Sequence, residues 1–106
     1  MSQLPRIAEI QKTVAKRYRV PLGSMTAPGT KGGRQRKHAW PRQVAITLAV
    51  RLTNHSYVRI GQLFGGRDHS TILYACQAVE KRRAKNPKLH NSIRRLTLEL
   101  VGQTNA

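Results

Sequence analysis

The stretch Arg67-Asp68-His69-Ser70-Thr71 sets five polar side chains in a row directly behind a Gly65-Gly66 pair. At the start of a helix, such a run offers two hydroxyls that serve either donors or acceptors and an aspartate able to accept from a cytosine amino group. These are means by which side chains address base edges in a major groove. Asp68 also has the residue type and the place of a helix cap. A second concentration of charge, Arg34-Gln35-Arg36-Lys37, closes a stretch from Val20 to His38 that is punctuated by Pro21, Gly23, Pro28, Gly29, Gly32 and Gly33. This segment, 20–38, reads as a long basic loop.

Other chemistries lack their residues. Glu9, Asp68, Glu80 and Glu99 are far apart and none pairs at helical spacing, so no carboxylate cluster can hold a hydrolytic metal ion. Cys76 falls on an apolar stripe, and His38, His55, His69 and His90 are too dispersed for a ligand set. The glycines of Gly29-Thr30-Lys31-Gly32-Gly33 have neither the spacing nor the preceding strand of a phosphate loop. The expectation is a binding protein rather than an enzyme, with no cofactor and no metal.

Charge narrows the partner. The 106 residues carry 20 Lys and Arg against 4 Asp and Glu, a net charge of +16. A folded domain so basic concentrates polyanions and gains entropy by releasing their counterions, so nucleic acid leads and an anionic membrane follows. Leu, Ile, Val and Phe make up 24 of the 106 residues, enough for a small core. Val44 to Val50, the most apolar run, is far short of the roughly 20 residues that span a bilayer. The opening Met-Ser-Gln-Leu-Pro does not read as a signal peptide, so a cytoplasmic protein without membrane association is expected. Five aromatic residues are too few for a platform that stacks single strands.

The elements that must position the polar run are all helical. Ile7, Ile10, Val14 and Tyr18 recur at steps of three and four, predicting a first helix over 4–18. A second starts at Pro41 with Val44, Ala45, Leu48, Ala49 and Leu52 on one face, and Trp40 is placed to fold back on it as a staple. Ser56 can cap a short third helix from Tyr57 to Phe64 with Ile60, Leu63 and Phe64 inside. Asp68 caps a fourth whose inner stripe is Ile72, Leu73, Cys76 and Val79, closing in the solvated basic run Lys81-Arg82-Arg83. A fifth starts near Pro87 and carries Leu89, Ile93, Leu96 and Leu100. No segment alternates with period two, so residues 1–106 form a single all-α domain of about five helices.

Tyr57 to Arg83 has the form of a helix-turn-helix, in which the second helix lays its first residues in the major groove. Spacing alone fits two packed helices of a bundle equally well; the content of the turn favours DNA. Ile60-Gly61-Gln62-Leu63-Phe64-Gly65-Gly66-Arg67-Asp68-His69-Ser70-Thr71-Ile72-Leu73-Tyr74-Ala75-Cys76 resembles the signature of the C-terminal, DNA-binding domain of the bacterial replication initiator DnaA. Pro41-Arg42-Gln43-x-Ala45 and Leu52-Thr53-Asn54-His55-Ser56 match the same family upstream, and residues 5 to 19 resemble its opening helix.

The resemblance implies a Trp-repressor-like helix-turn-helix domain that binds short asymmetric DnaA boxes in double-stranded DNA, as a monomer. It assigns Asp68, His69, Ser70 and Thr71, behind Arg67, to the major groove. It assigns Arg34 to the neighbouring minor groove, with Arg36 or Lys37 as substitutes, and Arg42 and Gln43 to phosphate. Three positions depart from the family: Ser70 where Thr is frequent, Val50 where some members have Lys, and a longer, glycine-richer loop before Arg34. A chain of this length has no room for the initiator's ATPase. The expected function is therefore nucleoid-associated modulation of chromosomal replication initiation, with full-length DnaA as a second partner. The alternatives are a transcriptional regulator at box-containing promoters and a non-specific nucleoid or RNA-coating protein.

Overall fold

Apolar spacing decides which faces meet. In a computed structural model that describes residues 4–27 and 38–104, the chain forms five α-helices and no strand among the described residues. They are α1 (Ile7–Tyr18), α2 (Ala39–Leu52), α3 (Tyr57–Leu63), α4 (His69–Lys85) and α5 (Pro87–Thr104). The all-α reading holds, and each expected helix is present. No helix among the described residues is long and apolar enough to cross a membrane.

Helix α1 buries Ile7, Ile10 and Val14, with Glu9 in its first turn and Lys16 and Arg17 in its last, each suited to the helix dipole. It ends where Arg19 turns left-handed (φ 55°), which lets the Val20 amide donate to the Ala15 carbonyl at 3.0 Å and folds Val20 back onto the core. Helix α5 buries Ile93, Leu96 and Leu100 and begins one residue after α4, with the Asn86 side chain accepting from the Leu89 amide.

Two features differ from the sequence expectation. Helix α2 is buried almost all round, from Pro41 through Ala49, because it lies between α1 and α4 instead of presenting one face to a core. Ala45 and Ala49 allow that close approach. The helix also starts at Ala39, so Trp40 sits inside its first turn and not ahead of it as a staple. Half-buried there, its ring lies 4.5 Å beneath the Arg82 guanidinium.

The second difference lies in 20–38, expected as one loop. Its first part is packed: Leu22–Met25 forms a 3-10 turn whose Met25 is fully buried in the core. Arg34, Arg36 and Lys37 fall outside the described residues. If the turn is part of the core, Met25→Ala should destabilise the domain by about 2–5 kcal/mol, read from the urea midpoint, where a true loop residue would cost under about 0.5 kcal/mol.

Candidate nucleic-acid interface

The polar run owes its place to glycine. Helix α3 is capped by Ser56, whose hydroxyl accepts from the Arg59 amide at 3.1 Å, and it buries Ile60 and Gly61. After Phe64, fully buried, the chain passes through Gly65 (φ 88°) and Gly66 (φ 75°), both left-handed. It then returns so closely that the Arg67 amide donates to the Gly61 carbonyl at 2.9 Å. A Cβ on residue 61 would stand 1.9 Å from the Arg67 carbonyl oxygen, so only glycine permits this crossing.

Helix α4 starts immediately afterwards. One carboxylate oxygen of Asp68, Oδ1, accepts from the Ser70 amide at 2.7 Å, the Thr71 amide at 3.1 Å and the Ser70 hydroxyl at 2.5 Å. The Ser70 hydroxyl first, then the two amides, hold the Asp68 carboxyl below the usual aspartate range, although it is open to solvent. His69, Ser70 and Thr71 are all exposed around this cap.

The arginines behave differently. The Arg67 Nη1 donates inward, to the carbonyls of Ala27 (2.8 Å) and Phe64. Arg42 is only 8% exposed, and its Nη1 donates to the Ser24 carbonyl at 3.1 Å. Burial lowers the pKa of both guanidiniums, that of Arg42 further through the charge of Arg67. Gln43 is half-buried in the first turns of α2. The structure thus gathers Arg67 through Thr71 at one place but turns Arg67 and Arg42 toward backbone, a commitment no local sequence pattern announces.

Along α4 the inner stripe is Ile72, Ala75 and Val79. Leu73, expected inside, is 42% exposed beside Tyr74 at 64%, because one residue past Ile72 the helix has already turned away from α2. Cys76 is half-buried, and burial pushes its thiol up, which suits packing and not nucleophilic chemistry. The run Lys81-Arg82-Arg83 divides. Lys81 is solvated and Arg82 stacks on Trp40, while Arg83 meets Glu80 at 3.6 Å and donates from Nε to His90 Nδ1 at 2.9 Å. Glu80 also pairs with Arg51 at 3.3 Å. Tyr74, Lys81 and Lys85 border a cleft of about 850 Å³ closed by Trp40 and Leu89, and the charged groups lining it are all basic.

A short helix, a glycine turn and a longer helix with a capped, polar, exposed start define a helix-turn-helix domain of the DNA-binding class. Residues 7–79 match the family described as the bacterial dnaA protein helix-turn-helix, and the chain belongs to that family. It is 41% identical over 87 residues to the chromosomal replication initiator protein DnaA of Magnetococcus marinus, covering 82% of this chain and 19% of that protein. The same-named proteins of Methylobacillus flagellatus (42% over 87 residues, 82% and 18%) and Psychromonas ingrahamii (46% over 80 residues, 76% and 17%) are similar in the same region. The chain therefore spans less than a fifth of these relatives' length. The matched family is a binding module, not a catalytic domain.

The cap has a testable pH signature. A carboxyl whose folded pKa is depressed contributes stability that is complete above its unfolded value, about 3.9, and is lost as pH falls through the folded value. Amide exchange at Ser70 and Thr71 should accelerate below about pH 4, relative to core amides, and Asp68→Asn should flatten that dependence.

Proposed function

We propose that this chain binds double-stranded DNA in a sequence-specific manner, at sites of the DnaA-box kind, and thereby modulates chromosomal replication initiation. The observation that carries the reading is the capped start of α4, where His69, Ser70 and Thr71 stand exposed in a domain of net charge +16. A helix start held by its own cap can enter the major groove without leaving its first amides unpaired. His69, Ser70 and Thr71 then meet base edges, beside Asp68, whose Oδ1 serves the cap. Gln43 at the start of α2 suits phosphate, and Arg34, Arg36 and Lys37 supply the minor-groove arm. Arg42 and Arg67 contribute positive potential while their bonded nitrogens hold the frame. The relatives named as replication initiators support the biological direction.

The protein acts as a monomer on the chromosome and shares its sites with full-length initiator, as competitor or accessory. A co-titration of both proteins on origin DNA, scored for strand opening, gives the sign of the effect; no change at saturating occupancy would sink a role in initiation.

At near-physiological salt, a DnaA-box duplex should bind far more tightly than a scrambled one, and affinities within threefold of each other would overturn the specific reading. With about 5 to 8 phosphates neutralised, log K should fall with log salt at a slope of about −4.5 to −7. His69→Ala and Thr71→Ala should each cost about 1–3 kcal/mol on the box and much less on the scrambled duplex.

A further inference from the structure

Three parts of the chain meet at the Arg67 guanidinium. Its Nη1 donates to the Ala27 carbonyl, at the end of the 21–27 segment that buries Ser24 and Met25, and to the Phe64 carbonyl, where α3 gives way to the turn. Its own backbone leads straight into the cap of α4. Arg42, from α2, holds the Ser24 carbonyl of the same segment, so one arginine of a helix and one of the turn both donate to this stretch of backbone. Gly65 closes the junction. A Cβ there would lie 2.6 Å from the Ala27 carbonyl oxygen and 2.7 Å from both the Thr26 carbonyl oxygen and the Arg67 Nη1.

We infer that Arg67 is a positioning residue for sequence reading: it fixes the start of α4 against the 21–27 segment and does not itself touch the duplex. The inference rests on the DNA-binding reading above. A phosphate contact needs donors turned outward, whereas Arg67 is half-buried and directs its Nη1 to two carbonyls. The neighbouring chain supplies little stiffness of its own, because Gly65 and Gly66 have no side chains. Without the guanidinium, the residue before the cap is tied only through its amide to Gly61. A small shift at that point moves His69 and Thr71 off base edges. Attraction to phosphates, which depends on the charge of the whole domain, barely changes.

Charge and placement can be separated by substitution. Arg67→Lys keeps the charge, but its ammonium ends one atom short of the place from which the Nη1 reaches both carbonyls. Gly65→Ala keeps every charge and disturbs the same junction from the opposite side. Each variant is titrated with a DnaA-box duplex and a scrambled duplex, beside wild type, with helicity followed by circular dichroism. We expect both variants to lose at least tenfold in affinity for the box, to stay within threefold of wild type on the scrambled duplex, and to keep wild-type helicity. Wild-type box binding by either variant overturns the inference. So does equal weakening on both duplexes with a shallower salt slope, the mark of a lost phosphate contact. Loss of helicity together with all binding does so too, since it shows a role in folding alone. A wild-type protein that fails to discriminate the duplexes instead removes the DNA-box reading, and the inference falls with it.

Discussion

The backbone crossing of Arg67 over Gly61 is the constraint on which the rest of the site depends. Two helices joined by a short turn can meet at many angles; this pair is fixed because the Arg67 amide reaches the Gly61 carbonyl at 2.9 Å, a separation that any side chain at residue 61 would block. The left-handed glycines 65 and 66 bring the chain round, and Phe64 and Ile72 bury the two sides of the turn. Everything that follows, from the cap at Asp68 to the exposed hydroxyls of Ser70 and Thr71, takes its orientation from that contact together with the bonds of the Arg67 guanidinium to the Ala27 and Phe64 carbonyls.

The second theme is how a small domain accommodates a net charge of +16. With so few carboxylates, most basic groups find no ionic partner, and the structure uses several other means. Arg42 and Arg67 donate to backbone carbonyls, Arg82 lies on the Trp40 ring, and Glu80 serves both Arg51 and Arg83. The exposed Arg51–Glu80 pair contributes little, on the order of 0–1 kcal/mol. What remains is a folded state that concentrates like charge, and a polyanion that binds it more tightly than it binds the unfolded chain stabilises it. Folding stability and polyanion binding are therefore coupled by linkage.

Much of this was legible in the sequence, for a physical reason. A helix advertises itself through the period of its apolar residues, so α1 and α5 could be read from Ile7-Ile10-Val14 and Ile93-Leu96-Leu100. The caps Ser56 and Asp68 announce themselves by residue type beside a glycine or a turn. What escaped was set by contacts between distant segments. Leu73 looked interior because a stripe drawn from apolar residues alone cannot show where α2 stops covering α4. Met25 looked like loop because Leu22 and Met25, set among glycines and prolines, carry no sustained period. The inward bonds of Arg42, read as a phosphate ligand, and of Arg67, read as part of the polar run, could not be foreseen because their acceptors are carbonyls of residues 24, 27 and 64, and every residue type presents the same carbonyl.

The cap also reshapes the chemistry open to Ser70. Its hydroxyl hydrogen points to Asp68 Oδ1, so as long as the cap stands the oxygen has only lone pairs to offer a partner outside the helix. On the proposed reading, Ser70 can then accept from an adenine or cytosine amino group but cannot donate to a guanine or thymine oxygen. Thr71 is under no such restriction, because only its amide is engaged by the cap. Two adjacent hydroxyls of the same helix turn thus have different hydrogen-bond polarity. The difference originates in a single carboxylate oxygen whose first duty is to close the helix.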